Sequence, residues 1–167
     1  VFSIVLSSTT SKESIFSCAC RRQQNSKEIT KSRYRSFMLT NVYEQDKDIK
    51  VCGLASNGNS AYDLCKTEKP DIVLMDMQMP YCDGSSATYK IKQEFPNIKI
   101  LVLTTFDDKA TITKALSSGA DGYVLKDVDE NKIINAIKST LLNINVFGKS
   151  VFDNLKNKLI NKIAPLR

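Results

Sequence analysis

Asp71-Ile-Val-Leu-Met-Asp76-Met-Gln78-Met-Pro-Tyr-Cys-Asp83-Gly84 is the stretch on which the fold turns. Ile72 to Met75 are apolar at every position, as a strand must be when helices cover both of its faces. Asp76 ends that run with a carboxylate, and Gln78 to Gly84 reads as a loop. Working backwards, Pro70 closes a helix predicted through Ala61, Leu64 and Cys65, which follows a turn at Ser56, Asn57 and Gly58. A strand is predicted before it, over residues 49–54. Working forwards, a helix over about 85–95 stops at Pro96 and Asn97, and residues 98–103 form the next strand. Asp107 and Asp108 open a helix that runs to Ser118, where Gly119 supplies a left-handed stop. A strand over 122–125 follows, and Asp129 then opens a helix with Ile133, Ile134, Ala136, Ile137, Leu141 and Leu142 on its apolar side.

Short β-branched runs alternating with amphipathic segments are the mark of repeated βα units. The crossovers of such units are right-handed, so the predicted fold class is α/β, a doubly wound open parallel sheet. Ligands of these sheets sit outside the carboxyl ends of the strands, which picks out Asp76, Thr104 with Thr105, and Lys126.

The ends of the chain are less regular. Residues 33–43 have helical spacing through Tyr34, Phe37, Leu39, Val42 and Tyr43, whereas residues 7–32 are rich in Ser, Thr, Lys and Gln without a sustained period. Residues 1–6 are apolar and could supply a first strand. Val151, Leu155, Leu159 and Ile163 recur at four-residue spacing, which predicts an amphipathic linker helix. The predicted division is therefore an irregular segment over 1–30, a domain over 31–143 and a linker helix over 144–167.

Composition narrows the function. The 167 residues are 42% hydrophobic and 25% charged, with a net charge of +6 and no histidine. No apolar run reaches the roughly 18 residues of a membrane span. Residues 1–6 lack the basic start of a secretory signal, so a cytoplasmic protein is expected. The five cysteines, Cys18, Cys20, Cys52, Cys65 and Cys82, are odd in number and without CxxC spacing, which points to free thiols. The lysines are scattered and form no basic run with interleaved aromatics, so nucleic-acid binding is not expected. Without histidine, a Gly-rich phosphate loop or a nucleophile elbow, a hydrolase is disfavoured and the chain is not expected to be an enzyme.

What remains is a carboxylate, a hydroxyl and an amine at the ends of three strands, a set suited to phosphoryl transfer. Asp76 is the candidate nucleophile, because an aspartate can form an acyl phosphate. Lys126 and Thr104 are candidate partners for the phosphoryl oxygens. A divalent cation would offset the remaining negative charge, and magnesium suits such oxygens.

With these residues in place, the 71–84 stretch resembles the phosphoacceptor strand and loop of bacterial response-regulator receiver domains. Leu103-Thr-Thr-Phe-Asp107 resembles their switch strand, and Gly119-Ala-Asp-Gly-Tyr-Val-Leu-Lys126 their lysine strand, in the same order and spacing. The wording is most similar to the NarL/LuxR-type transcriptional regulators, over about residues 33–142. The resemblance implies a flavodoxin-like fold, Asp76 as phosphoacceptor, Thr104 as switch hydroxyl, Lys126 as phosphate partner and Tyr123 as aromatic switch. It also implies magnesium held by Asp76 and the Gln78 backbone carbonyl.

It further implies a sensor histidine kinase as donor and homodimer formation, the predicted contact face being residues 108–142, which carry Lys109, Lys114, Asp127 and Lys132. Asp83 and Gly84 are read as loop geometry. Family members place an acidic pair after the first strand; here neither Ser7 and Ser8 nor residues 27–31, with only Glu28, supply it. Magnesium is therefore expected to bind weakly. A pseudo-receiver acting as a binding or dimerisation module is the competing function. The output domain of such regulators does not fit before Arg167, so direct DNA binding is not expected of this chain.

Overall fold

The computed structural model describes residues 3–8 as backbone, and residues 46, 48–79, 82–105, 108–149, 151–153 and 156 with their surroundings. The described elements are β1 (Ser3–Ser8), β2 (Ile49–Ala55), α1 (Gly58–Glu68), β3 (Ile72–Met75), α2 (Gly84–Glu94), β4 (Lys99–Thr104), α3 (Lys109–Ser117), β5 (Gly122–Leu125) and α4 (Glu130–Leu141). Helix starts lie where the polar residues predict them. Asn57 Oδ1 accepts the Ser60 N–H at 2.9 Å while Ser60 Oγ accepts the Asn57 N–H at 3.2 Å, a reciprocal capping box for α1. Asp108 Oδ1 accepts the N–H groups of Ala110 and Thr111 at the start of α3, and Asp129 accepts that of Asn131 at the start of α4. Lys69 ends α1 at φ 45°, and Gly119, at φ 92°, carries the chain past α3 as its lack of a Cβ allows.

The strands lie in the order β2-β1-β3-β4-β5. β3, β4 and β5 are parallel, with Met75 opposite Val102 and Thr104 opposite Leu125. Period-2 alternation splits their side chains between two cores. Ile72, Leu74, Leu101 and Leu103 meet Ile133, Ala136 and Ile137 of α4 on one face. Val73, Met75 and Ile100 meet Ala61, Cys65, Ala87 and Ile91 of α1 and α2 on the other. This is the doubly wound arrangement expected of the fold class.

β1 corrects the expectation in two respects. Residues 3–8, in the segment assigned as irregular although residues 1–6 could supply a first strand, form a strand between β2 and β3. That strand runs antiparallel to both, with Ser8 opposite Ile49 and Ile4 opposite Leu74. The apolar Ile4-Val5-Leu6 at its centre pairs with β3, and three apolar residues in a row read the same in either direction, so pairing alone settles the orientation. Ser7 and Ser8 consequently lie at the amino ends of β2 and β3, not at the Asp76 edge. The helical spacing over 33–43 and the stretch over 27–31 lie outside the described residues.

After α4 the chain returns to the sheet. Tyr123 of β5 pairs in parallel with Phe147, and residues 149 and 151–153 are helical, as is 156. The segment predicted as a linker helix thus begins as an extended stretch against β5.

Candidate functional site

Three neighbouring parallel strands end at one edge of the sheet and set three side chains along it. Asp76 follows β3 and is buried, with 4% of its surface exposed. Thr104 ends β4, between β3 and β5, and is fully buried. Lys126 follows β5, its N–H donating to the Thr104 carbonyl at 2.8 Å. Its side chain reaches across β4 to form an ion pair between Nζ and Asp76 Oδ2. The other carboxylate oxygen, Oδ1, accepts the Gln78 N–H at 2.9 Å. A nearly buried carboxylate stays in place when an ammonium and a backbone N–H satisfy it.

The loop after Asp76 is shaped by Gly84. A Cβ there would lie 2.0 Å from the Asp76 carbonyl oxygen, and the Gly84 N–H donates to the Met77 carbonyl at 3.2 Å. Asp83 then caps α2, its Oδ1 accepting the Ser86 N–H at 2.8 Å and the Ser85 hydroxyl at 3.0 Å. Its Oδ2 pairs with Lys114 of α3 at 2.5 Å, spanning an open cleft beside Met77, Gln78 and Thr111. Loop geometry accounts for both residues, as the sequence suggested. Lys114, on the predicted contact face, is exposed and paired with the start of α2.

Desolvation pushes the Asp83 carboxyl up, but the Lys114 ammonium and the Ser86 and Ser85 donors outweigh it and hold the group well below the usual carboxylate range. A folded value lower than the unfolded one stabilises above the unfolded carboxylate value of about 4 and is lost as pH falls through the folded value. The ion pair is too exposed to add much, so the cap dominates. Asp83→Ala should therefore cost about 1 kcal/mol at neutral pH, with the difference from wild type shrinking in acid. Urea unfolding of both proteins at several pH values measures it.

Tyr123 is fully buried, opposite Val102 of β4. It shares an apolar cluster with Met77, Ile112, Ala115 and Val151. Val151 was read from the sequence only as one side of a linker helix; nothing in its four-residue spacing signalled contact with the strand-end site.

The site also tests the implied magnesium. Among the described residues, no three His, Cys, Asp or Glu side chains gather as a cation site. The contact that Gln78 makes with Asp76 is through its N–H, and Lys126 occupies the remaining oxygen. Asp76 and the Gln78 carbonyl are the oxygen donors that the described residues offer here, whereas a hard divalent cation takes six or more oxygens and gains affinity from several carboxylates.

Comparison with known proteins finds relatives of the chain. The model of the response regulator receiver domain matches residues 34–138. The chain is 40% identical over 99 residues to the transcriptional regulatory protein LnrK of Bacillus subtilis, covering 59% of this chain and 45% of that one. It is 34% identical over 121 residues to the response regulator protein VraR of Staphylococcus saprophyticus, covering 72% of this chain and 58% of that one. The chain thus spans about half the length of these curated relatives. Among solved structures, a LuxR-family two-component response regulator from Aurantimonas matches with a TM-score of 0.59 at 30% identity, covering 64% of this chain and 76% of that one. The signal receiver domain of a response regulator, NarL, from Mycobacterium tuberculosis matches with a TM-score of 0.61 at 26% identity, covering 64% and 86%.

Proposed function

The chain belongs to the response regulator receiver domain family of two-component systems, and from that premise we propose that it accepts a phosphoryl group on Asp76. One observation carries the proposal: a nearly buried aspartate at the carboxyl end of a parallel strand, with a lysine ammonium from the second strand along held on its Oδ2. In the step proposed, a carboxylate oxygen of Asp76 attacks phosphorus, the bond from phosphorus to the donor breaks, and the donor's leaving group takes a proton from solvent. Lys126 is the positive charge available to the phosphoryl oxygens as they leave the donor, a contact that gains strength in a site with little water. Thr104, next along the edge, is the hydroxyl assigned to a further oxygen. The reading makes Asp76 a substrate position rather than part of an enzyme that turns over other molecules. A sensor histidine kinase is the proposed donor and control of transcription the proposed output, by analogy with the regulators named above. A cytoplasmic location accords with this, and no helix among the described residues is long and apolar enough to cross a membrane.

A second reading has its own support. Both Asp76 oxygens are engaged and β1, which carries no acidic residue, turns its carboxyl end away from the site. A pseudo-receiver that binds partners without being modified would look like this. Intact mass after incubation with acetyl phosphate separates the two: one added phosphoryl group, lost on mild alkaline treatment, supports the acceptor, and an unchanged mass supports the pseudo-receiver.

Weak magnesium binding is part of this reading, supported by the absence of a carboxylate cluster among the described residues. Titration with magnesium should leave the amide shifts of Met77 and Gln78 unsaturated beyond about 1 mM, the weak end of carboxylate sites. Saturation below that concentration would show that a carboxylate such as Glu28 completes the site.

A further inference from the structure

The chain that follows α4 lies on the outer edge of β5, and what holds it there is slight. The Tyr123 N–H donates to the Val146 carbonyl at 2.8 Å and the Gly148 N–H to the Tyr123 carbonyl at 3.4 Å. Among the described residues of this segment only Val151 is buried, at 1% exposure; Phe147 is half-buried, and Lys149 and Phe152 are exposed. Gly122 permits the approach, since a Cβ there would come within 3.0 Å of the Val146 carbonyl oxygen and 2.8 Å of Leu101 Cδ1. Among the described residues, two backbone bonds, the buried Val151 and the half-buried Val146 and Phe147 hold the segment, fewer contacts than the inner strands have, as in a segment that opens locally before the domain unfolds.

The pocket that receives Val151 is walled by residues continuous with the Asp76 site. Met77, in the same cluster as Val151 and Tyr123, directly follows Asp76 and precedes Gln78, whose N–H is bound to the carboxylate. On the other side, Tyr123 lies three residues before Lys126, which holds the second carboxylate oxygen. A change in the pair between Asp76 and Lys126 therefore acts on the Val151 pocket through two backbone segments.

We infer that residues 146–149 and 151–153 belong to a releasable strap, docked on β5 while Lys126 is held on Asp76 and loosened when that pair is broken. Its release uncovers the edge of β5 and the apolar cluster around Tyr123. Coupling of this kind requires only that the pair be better formed with the strap docked than with it free. Release by modification of Asp76 rests on the acceptor reading proposed above; release by breaking the pair does not.

Amide hydrogen exchange of the full chain tests it, with the Tyr123 and Gly148 amides as reporters and the Asp121 amide, just before β5 and bonded inward to the Ile100 carbonyl of β4 at 2.8 Å, as the control. Val151→Asp should speed exchange at Tyr123 and Gly148 by about tenfold or more, as local opening does, with Asp121 unchanged. Val151→Ala should do the same to a smaller extent, which keeps the test decisive where Val151→Asp does not fold. Lys126→Gln should speed the same two amides by about threefold or more and leave Asp121 unchanged. The strap is refuted by reporters that stay protected in both Val151 variants, or that accelerate only in step with Asp121. Its coupling is refuted by wild-type exchange in Lys126→Gln. Acetyl phosphate provides a further arm: where Asp76 takes label, the reporters should accelerate, and protection unchanged in labelled protein overturns the coupling. A chain that takes no label but loosens in Lys126→Gln contradicts the acceptor reading and supports the strap.

Discussion

Asp76→Asn is expected to reduce labelling by acetyl phosphate to the level of a control without donor, while Asp83→Asn keeps the label of the wild type. An amide in place of the carboxylate supplies no oxygen nucleophile for an acyl phosphate. Asp83, seven positions on, is also a carboxylate near the same loop, but its oxygens are taken up by the start of α2 and by Lys114. Lys126 is bound to Asp76 and Asp83 to Lys114. Intact mass spectrometry of the three proteins after identical incubation measures the difference. Label retained in the Asp76→Asn protein would move the acceptor to another residue and remove the role assigned to Lys126.

Gly84→Ala is expected to destabilise the chain by about 3 kcal/mol, the upper part of the range for overpacking. The new methyl carbon would stand 2.0 Å from the carbonyl oxygen of Asp76, 2.8 Å from its carbonyl carbon and 2.9 Å from Met77 Cα. All three atoms are backbone, so no flexible side chain can swing away, and relief requires shifting the turn that positions the acceptor. A melting temperature lower by about 6–12 °C follows for a chain of this size. Gly148→Ala is the control, because an added Cβ there meets nothing within 4 Å, and it should change stability by no more than about 0.5 kcal/mol. Equal melting of the Gly84→Ala and wild-type proteins would show that the tight approach of α2 to Asp76 does not exist in solution.

These two predictions rest on features that differ in how visible they were beforehand. Asp76, Thr104 and Lys126 are legible in the sequence because each ends a buried run, and parallel strands with right-handed crossovers bring such ends to one edge. The helix starts at Asn57, Asp108 and Asp129 are legible because capping is a local property. The orientation of β1 is not legible: a short apolar run carries no sign of direction, and the partner strand lies about forty residues on in the chain. The pair between Lys114 and Asp83 joins positions 31 residues apart, and no local pattern marks which lysine on α3 reaches across. The strap was hidden for a related reason. The four-residue spacing from Val151 describes a helix, whereas the pairing that brings this segment to the sheet rests on Val146, Phe147 and Gly148, too few residues to show a period.

Assignment of the phosphoryl group to one carboxylate is the most direct test of the receiver site. Treatment of the acetyl phosphate-labelled chain with borohydride reduces an aspartyl phosphate to the alcohol, converting that aspartate to homoserine and releasing phosphate, and peptide mass spectrometry then locates the conversion. The geometry described here predicts homoserine at position 76 and at no other aspartate, with Asp83 unchanged. Homoserine at Asp83 or elsewhere, or none in labelled protein, would contradict it.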